Sequence, residues 1–170
     1  MCKNGHAVTR RYFGALSLGA VGALLLPASG RAAGEVDALV VTCIDYRLVD
    51  DAVKFFDGQN MKNKYDQVSL AGAALAGVSP AFPSANAAFW DQLAIAKKLH
   101  NVQRLIVLDH QDCGAYKVAF GDKFATEPHA EAAQHKSVML EVKTKLAREF
   151  PSLGFDGYLM ALDGSAEKLV

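Results

Sequence analysis

Two apolar runs in this 170-residue chain are each followed by side chains with chemistry to offer. The first, Leu39-Val40-Val41, leads to Cys43, Asp45 and Arg47 at every second position of LVVTCIDYRLVDD; the second, Leu105 to Leu108, leads to His110 and Cys113 in RLIVLDHQDCGAY. A thiol, a carboxylate and a guanidinium are poor core-fillers, so they call for a use or a partner. His-x-x-Cys can bring an imidazole and a thiolate onto one metal ion within a single turn, and Cys43, from a neighbouring strand end, makes a third ligand. Soft sulfur with imidazole in a four-coordinate arrangement favours zinc. Three protein donors leave a fourth position open to water, whose pKa zinc lowers to roughly 7. Asp45 either fills that position or accepts a hydrogen bond from the bound hydroxide. Arg47 can grip the carboxylate with two parallel bonds and hold it off the metal. Gly114 is read as letting backbone pass close to the site.

Each of these residues also has a plainer use. Cys43 and Cys113 can form a disulfide, but that leaves His110, Asp45 and Arg47 without a role, so the metal site is preferred. Asp45 and Arg47 can be a simple ion pair; beside the cysteines they are read as functional. Asp112 is either an acceptor supporting the metal loop or a solvated acid. Tyr116 and Phe120 either line the pocket or pack in the core, and Trp90 is read as core. His100, His129 and His135 have no partner in local sequence and are expected to face solvent.

The elements that must position these groups alternate strand and helix. Asp37 to Thr42, YDQVSLAG and Arg104 to Asp109 read as strands, two of them continuous apolar runs of the buried kind. Leu48 to Phe56 reads as a short helix ended by Gly58. After Pro80 and Pro83, Ser84 is expected to cap a helix carrying Phe89, Leu93 and Ala96 on one stripe. A long helix from about Ala130 to Phe150 places Met139, Val142 and Leu146 at core spacing, and Pro151 stops it. GFDGYLMALDGSAEKLV then gives a strand, a turn at Asp163-Gly164 and a short edge strand. The expectation is an α/β fold: a mostly parallel four-stranded sheet flanked by helices, with a C-terminal antiparallel edge strand. Function in such sheets gathers beyond the carboxyl ends of the strands.

The N-terminus reads as a cleaved signal over residues 1–32. Lys3, Arg10 and Arg11 precede an uncharged run from Tyr12 to Gly30, and TRRYFGAL resembles a twin-arginine export signal. The expected domain is residues 33–170, periplasmic or secreted, without stable membrane insertion after cleavage. Lys3, Arg10, Arg11 and Arg31 fall in the signal with no acids, leaving 14 basic and 18 acidic residues, a net charge of −4. With no basic run, that balance argues against nucleic acid or an anionic membrane as partner. An export route for folded proteins would let metal load in the reducing cytoplasm before the thiols meet oxidant.

C-I-D-Y-R and H-Q-D-C-G-A, each trailing a Val/Leu/Ile-rich strand and sixty-odd residues apart, resemble the signature of the β-class carbonic anhydrases. The likeness runs through Ala71-Gly72 to the terminal FDGYLMALDG. It implies zinc on Cys43, His110 and Cys113, an Asp45–Arg47 pair that orients zinc hydroxide, and reversible hydration of carbon dioxide to bicarbonate. It also implies a homodimer or higher oligomer. Tyr46 stands where the family usually has Ser, Asp109 where it has Gly, Gly34 where a glutamine commonly contacts substrate, and Ser69-Leu70 where Arg-Asn is frequent. These changes spare the ligands and fall at the pocket. Two further readings therefore stay open: a hydrolase of carbonyl sulfide or carbon disulfide, and a non-catalytic zinc-binding protein.

Overall fold

The computed structural model describes residues 34–122 and 128–170; the expected signal at 1–32 lies outside the described residues. Strands β1 (Ala38–Thr42), β2 (Tyr65–Ser69), β3 (Arg104–His110), β4 (Gly154–Met160) and β5 (Ala166–Lys168) form one sheet in the order β2-β1-β3-β4-β5. The first four are parallel and β5 runs antiparallel to β4. This is the α/β architecture expected, with its antiparallel C-terminal edge.

Helix α1 (Val49–Gly58) covers one face, where Ala52 and Phe56 join Ala38, Val40, Ile106 and Leu108. Helices α2 (Pro83–His100) and α4 (Pro128–Glu149) cover the other, where Phe89, Leu93, Met139, Val142 and Leu146 meet Leu39, Val41, Leu105 and Val107. Burial on both faces is why β1 and β3 read as continuous apolar runs rather than as alternating ones. Helix α3 (Gly114–Phe120) follows β3 directly. Among the described residues no helix is long and apolar enough to cross a membrane.

From β1 the chain passes outward to β2 and then returns to lay β3 on the other side of β1. The crevice between the carboxyl ends of β1 and β3 is therefore the topological switch point, the favoured place for a ligand in such sheets. Thr42 is level with Leu108, so Cys43 leaves the sheet beside the last two residues of β3, Asp109 and His110.

Several expectations are corrected. Ser84 does not cap α2; the helix begins at Pro83, whose fixed φ and missing N–H suit the first helical position, and Phe82 precedes it without a side-chain cap. His135 does not face solvent: it is 1 % exposed and bonds Asp109. His100 is half-buried against Asp66 at 2.7 Å, while His129 is exposed as expected. Tyr116 is a core residue with the half-buried Phe120 ring against it. Trp90 is in the core as expected, its indole N–H donating to the Gly77 carbonyl at 2.8 Å.

Candidate metal centre

The switch point gathers the sulfurs of Cys43 and Cys113 and a ring nitrogen of His110 within 4.8 Å of one another. Cys43 is set by the end of β1, His110 by the end of β3, and Cys113 by the turn into α3. That turn closes tightly because Asp112 takes a left-handed conformation, φ 56°, which Asp tolerates better than most residues. The thiols are free and 3.9 Å apart. His110 Nδ1 lies 2.8 Å from the Gln111 carbonyl, which can only accept, so this nitrogen carries the proton. In the neutral ring the lone pair is then on Nε2, which is buried and has no hydrogen-bond partner. A partnerless imidazole nitrogen facing two thiols is a donor set that can hold a metal ion.

The two thiols are biased in opposite directions. A hydrogen bond from Cys113 is the main cause holding the Cys43 thiol well below its ordinary value; His110 and the Gly72 N–H, 3.3 Å away, add to it against the cost of burial. Cys113 is pushed up, chiefly by the same bond to Cys43 and then by burial. One thiol is thus favoured as the thiolate and the other as the thiol, and a bound cation would favour both as thiolates.

Asp45 sits beside this cluster and not within it. Its Oδ2 is 3.8 Å from His110 Nε2. Arg47 donates through Nε to Oδ1 at 3.0 Å, through Nη2 to Oδ2 at 2.8 Å, and through its backbone N–H to Oδ1 at 3.0 Å. This fork is the main reason the Asp45 carboxyl is held down to about 2. The other side of the guanidinium reaches across to the loop between the ligands, with Nη1 2.9 Å from Asp112 Oδ2 and Nη2 3.2 Å from the Asp112 carbonyl. Lys117 also pairs with Asp112, whose N–H donates to Glu131 at 2.6 Å. Asp112 is therefore a counter-charge for Arg47, tying the two arms of the site together.

Two cavities flank the cluster. An inner one of about 40 Å³ lies on the α1 side, lined by Cys43, Asp45 and His110 with Leu48, Leu108 and Met160, and bordered by the polar side chains of Thr42, Gln67 and Ser69. An outer, open one of about 280 Å³ is walled by Ile44, Ala71, Phe82, Ala115 and Val118 beside Cys43, Asp45 and Cys113. The inner space holds only a few atoms.

Tyr46 does not crowd the site. Its ring is 87 % exposed on the turn Tyr46–Leu48, which turns Leu48 inward and leaves the tyrosine outside both cavities. Gly114 is not needed for close approach, since a Cβ there would meet nothing within 4 Å. Gly72 is the glycine the site requires. Its φ is 76°, a Cβ would come within 3.0 Å of Ala115 and Leu75, and its N–H faces the Cys43 sulfur.

A doubly wound α/β sheet with a Cys-His-Cys set at its switch point defines a β-carbonic-anhydrase-like class of protein. A β-carbonic anhydrase of the filamentous fungus Aspergillus fumigatus has the same fold, with a TM-score of 0.53 at 11 % identity over 79 % of this chain and 90 % of that one. In sequence, residues 34–145 match the family described as "Putative carbonic anhydrase", and the chain belongs to that family. An uncharacterised protein of Rickettsia conorii is 31 % identical over 135 residues, 79 % of this chain and 73 % of the relative. Another, from Rickettsia bellii, is 31 % identical over 135 residues, covering 79 % of this chain and 82 % of the relative.

Proposed function

We propose that the protein is a zinc-dependent carbonic anhydrase that hydrates carbon dioxide reversibly to bicarbonate. The observation that carries this reading is the partnerless His110 Nε2 facing two free thiols, with an ionised and firmly held carboxylate 3.8 Å away. Cys43, His110 and Cys113 would hold the ion, which when bound makes water acidic enough to yield a nucleophile near neutral pH. Asp45, ionised down to about pH 2, can only accept a hydrogen bond at working pH. A hydroxyl held beside it must point its hydrogen at the carboxylate, which leaves a lone pair free for the substrate carbon. Arg47 fixes the direction of that acceptor through its two-bond grip. The Gln111 carbonyl fixes the His110 tautomer. Addition of that oxygen to carbon dioxide would open one C=O π bond and give bicarbonate, and the proton that water gave up would pass to buffer.

The apolar wall of the outer cavity supports an uncharged, linear substrate of few atoms. Carbonyl sulfide and carbon disulfide share that chemistry, so the same wall supports a second reading as their hydrolase. The N-terminal arginine pair supports export, and the exposed apolar side chains Ile44, Val49 and Val118 near the site support association of like chains. The test is hydration of carbon dioxide by protein that has been stripped of metal and then reloaded with one zinc per chain. Rate that appears only on reloading is expected. Reloaded protein that turns over carbonyl sulfide or carbon disulfide but not carbon dioxide would transfer the assignment to the second reading.

A further inference from the structure

Directly behind the three ligands lies a second carboxylate, which the proposed chemistry does not use. Asp109 is 1 % exposed and fully engaged. Its Oδ1 accepts from the Ala74 N–H at 2.9 Å; its Oδ2 accepts from the Tyr116 hydroxyl at 2.6 Å and from His135 Nδ1 at 2.8 Å. The Tyr116 and His135 rings are packed with centroids 3.7 Å apart, both buried. One side chain thus joins β3, the turn Ala73–Gly77, α3 and α4.

The placement along the chain is what gives this a purpose. Asp109 immediately precedes the ligand His110, and Tyr116 follows the ligand Cys113 by three residues. The carboxylate–phenol bond therefore spans the ligand loop from one end to the other. Ala74 is two residues past Gly72, whose N–H meets the third ligand, Cys43. Every ligand is in this way covalently near, or bonded to, a segment that Asp109 holds.

We propose that Asp109, Tyr116 and His135 form a clasp that sets the mutual spacing of Cys43, His110 and Cys113, so that all three are positioning residues for the metal. The proposal rests on the reading of those ligands as a metal centre. A carboxylate is required because both oxygens face donors; an amide would turn its NH2 toward one of them. Metal-supporting groups of this kind govern affinity by holding ligands in place before the ion arrives.

The experiment uses full-length Tyr116→Phe and Asp109→Asn beside the wild type. Zinc affinity is measured by chelator competition, the visible spectrum after cobalt loading, and folding by circular dichroism. The clasp predicts folded Tyr116→Phe with zinc affinity reduced about tenfold or more and shifted cobalt bands. A role in packing alone would lower the melting point and leave both metal readouts unchanged. Folded Tyr116→Phe with affinity within about twofold of wild type and an unaltered cobalt spectrum would overturn the proposal. If Asp109→Asn does not fold, Tyr116→Phe still decides it. Neither readout is hydration, so failure of the carbon dioxide assignment registers separately. Wild type that binds neither metal would remove the metal centre and the clasp together.

Discussion

Asp45 and Asp109 flank the Cys-His-Cys cluster at the ends of adjacent strands, and the fold holds them in opposite ways. Asp45 is gripped by one arginine at the protein surface, and that arginine is itself shared with Asp112. Asp109 is buried among donors from three other elements. A partly exposed ion pair contributes little to stability and its geometry can adjust. A buried carboxylate with three donors cannot move without stranding all of them. On the proposed reading, the difference separates two tasks of one site: an acceptor that orients the hydroxyl, and a frame that keeps the candidate ligands in place.

Removing a ligand should erase the distinction altogether. Cys43→Ser, His110→Ala or Cys113→Ser is expected to lose bound zinc after dialysis, measured by elemental analysis, and all catalysed hydration with it. Next in size is Asp109→Ala, which leaves three buried donors without an acceptor. A loss of roughly 3 kcal/mol or more in urea unfolding is expected. Asp45→Asn should reverse that pattern, with stability within about 1 kcal/mol of wild type, zinc retained, and hydration slowed about a hundredfold or more. Equal stability losses in the two aspartate variants would break the comparison.

Arg47→Met probes the grip itself. In the wild type the Asp45 carboxyl is held to about 2, mainly by the Arg47 side chain, so an NMR titration of that carboxyl should move toward the ordinary value near 4 in the variant. The sign follows from which form the fold prefers. The ionised carboxylate is favoured, so the pair's contribution is present above about pH 4 and fades as pH falls toward 2. The smallest effect belongs to Tyr46→Ser, because that ring is almost wholly in solvent. Hydration within about twofold of wild type is expected, since surface changes away from packed or charged groups do little.

The strands and the Cys-His-Cys cluster were legible because both are written locally. Val40, Val41 and Leu105 to Leu108 advertise buried strands, and Cys43, His110 and Cys113 stand at fixed short distances beyond them. The Asp45–Arg47 pair was legible for the same reason, the two being separated by one residue. Asp109 and His135 were not, because their bond joins residues 26 apart whose side chains meet only when α4 docks on the sheet. A signal did exist: His135 continues the stripe of Met139, Val142 and Leu146 backward by one turn, a poor position for a solvated imidazole. Tyr46 misled for the converse reason. Adjacency in sequence to Asp45 and Arg47 says nothing about direction within a tight turn, and there the ring points away. Gly114 and Gly72 carry the same lesson, since a glycine's necessity depends on φ and on distant atoms such as the Ala115 side chain.

Stopped-flow hydration of carbon dioxide from pH 6 to 9, on wild type and Asp45→Asn at equal measured zinc content, tests the central claim most directly. The account predicts a wild-type rate that rises through a single ionisation near pH 7 and a strongly depressed rate in the variant. Wild type carrying one zinc per chain with no rate above the uncatalysed reaction at any pH would contradict it.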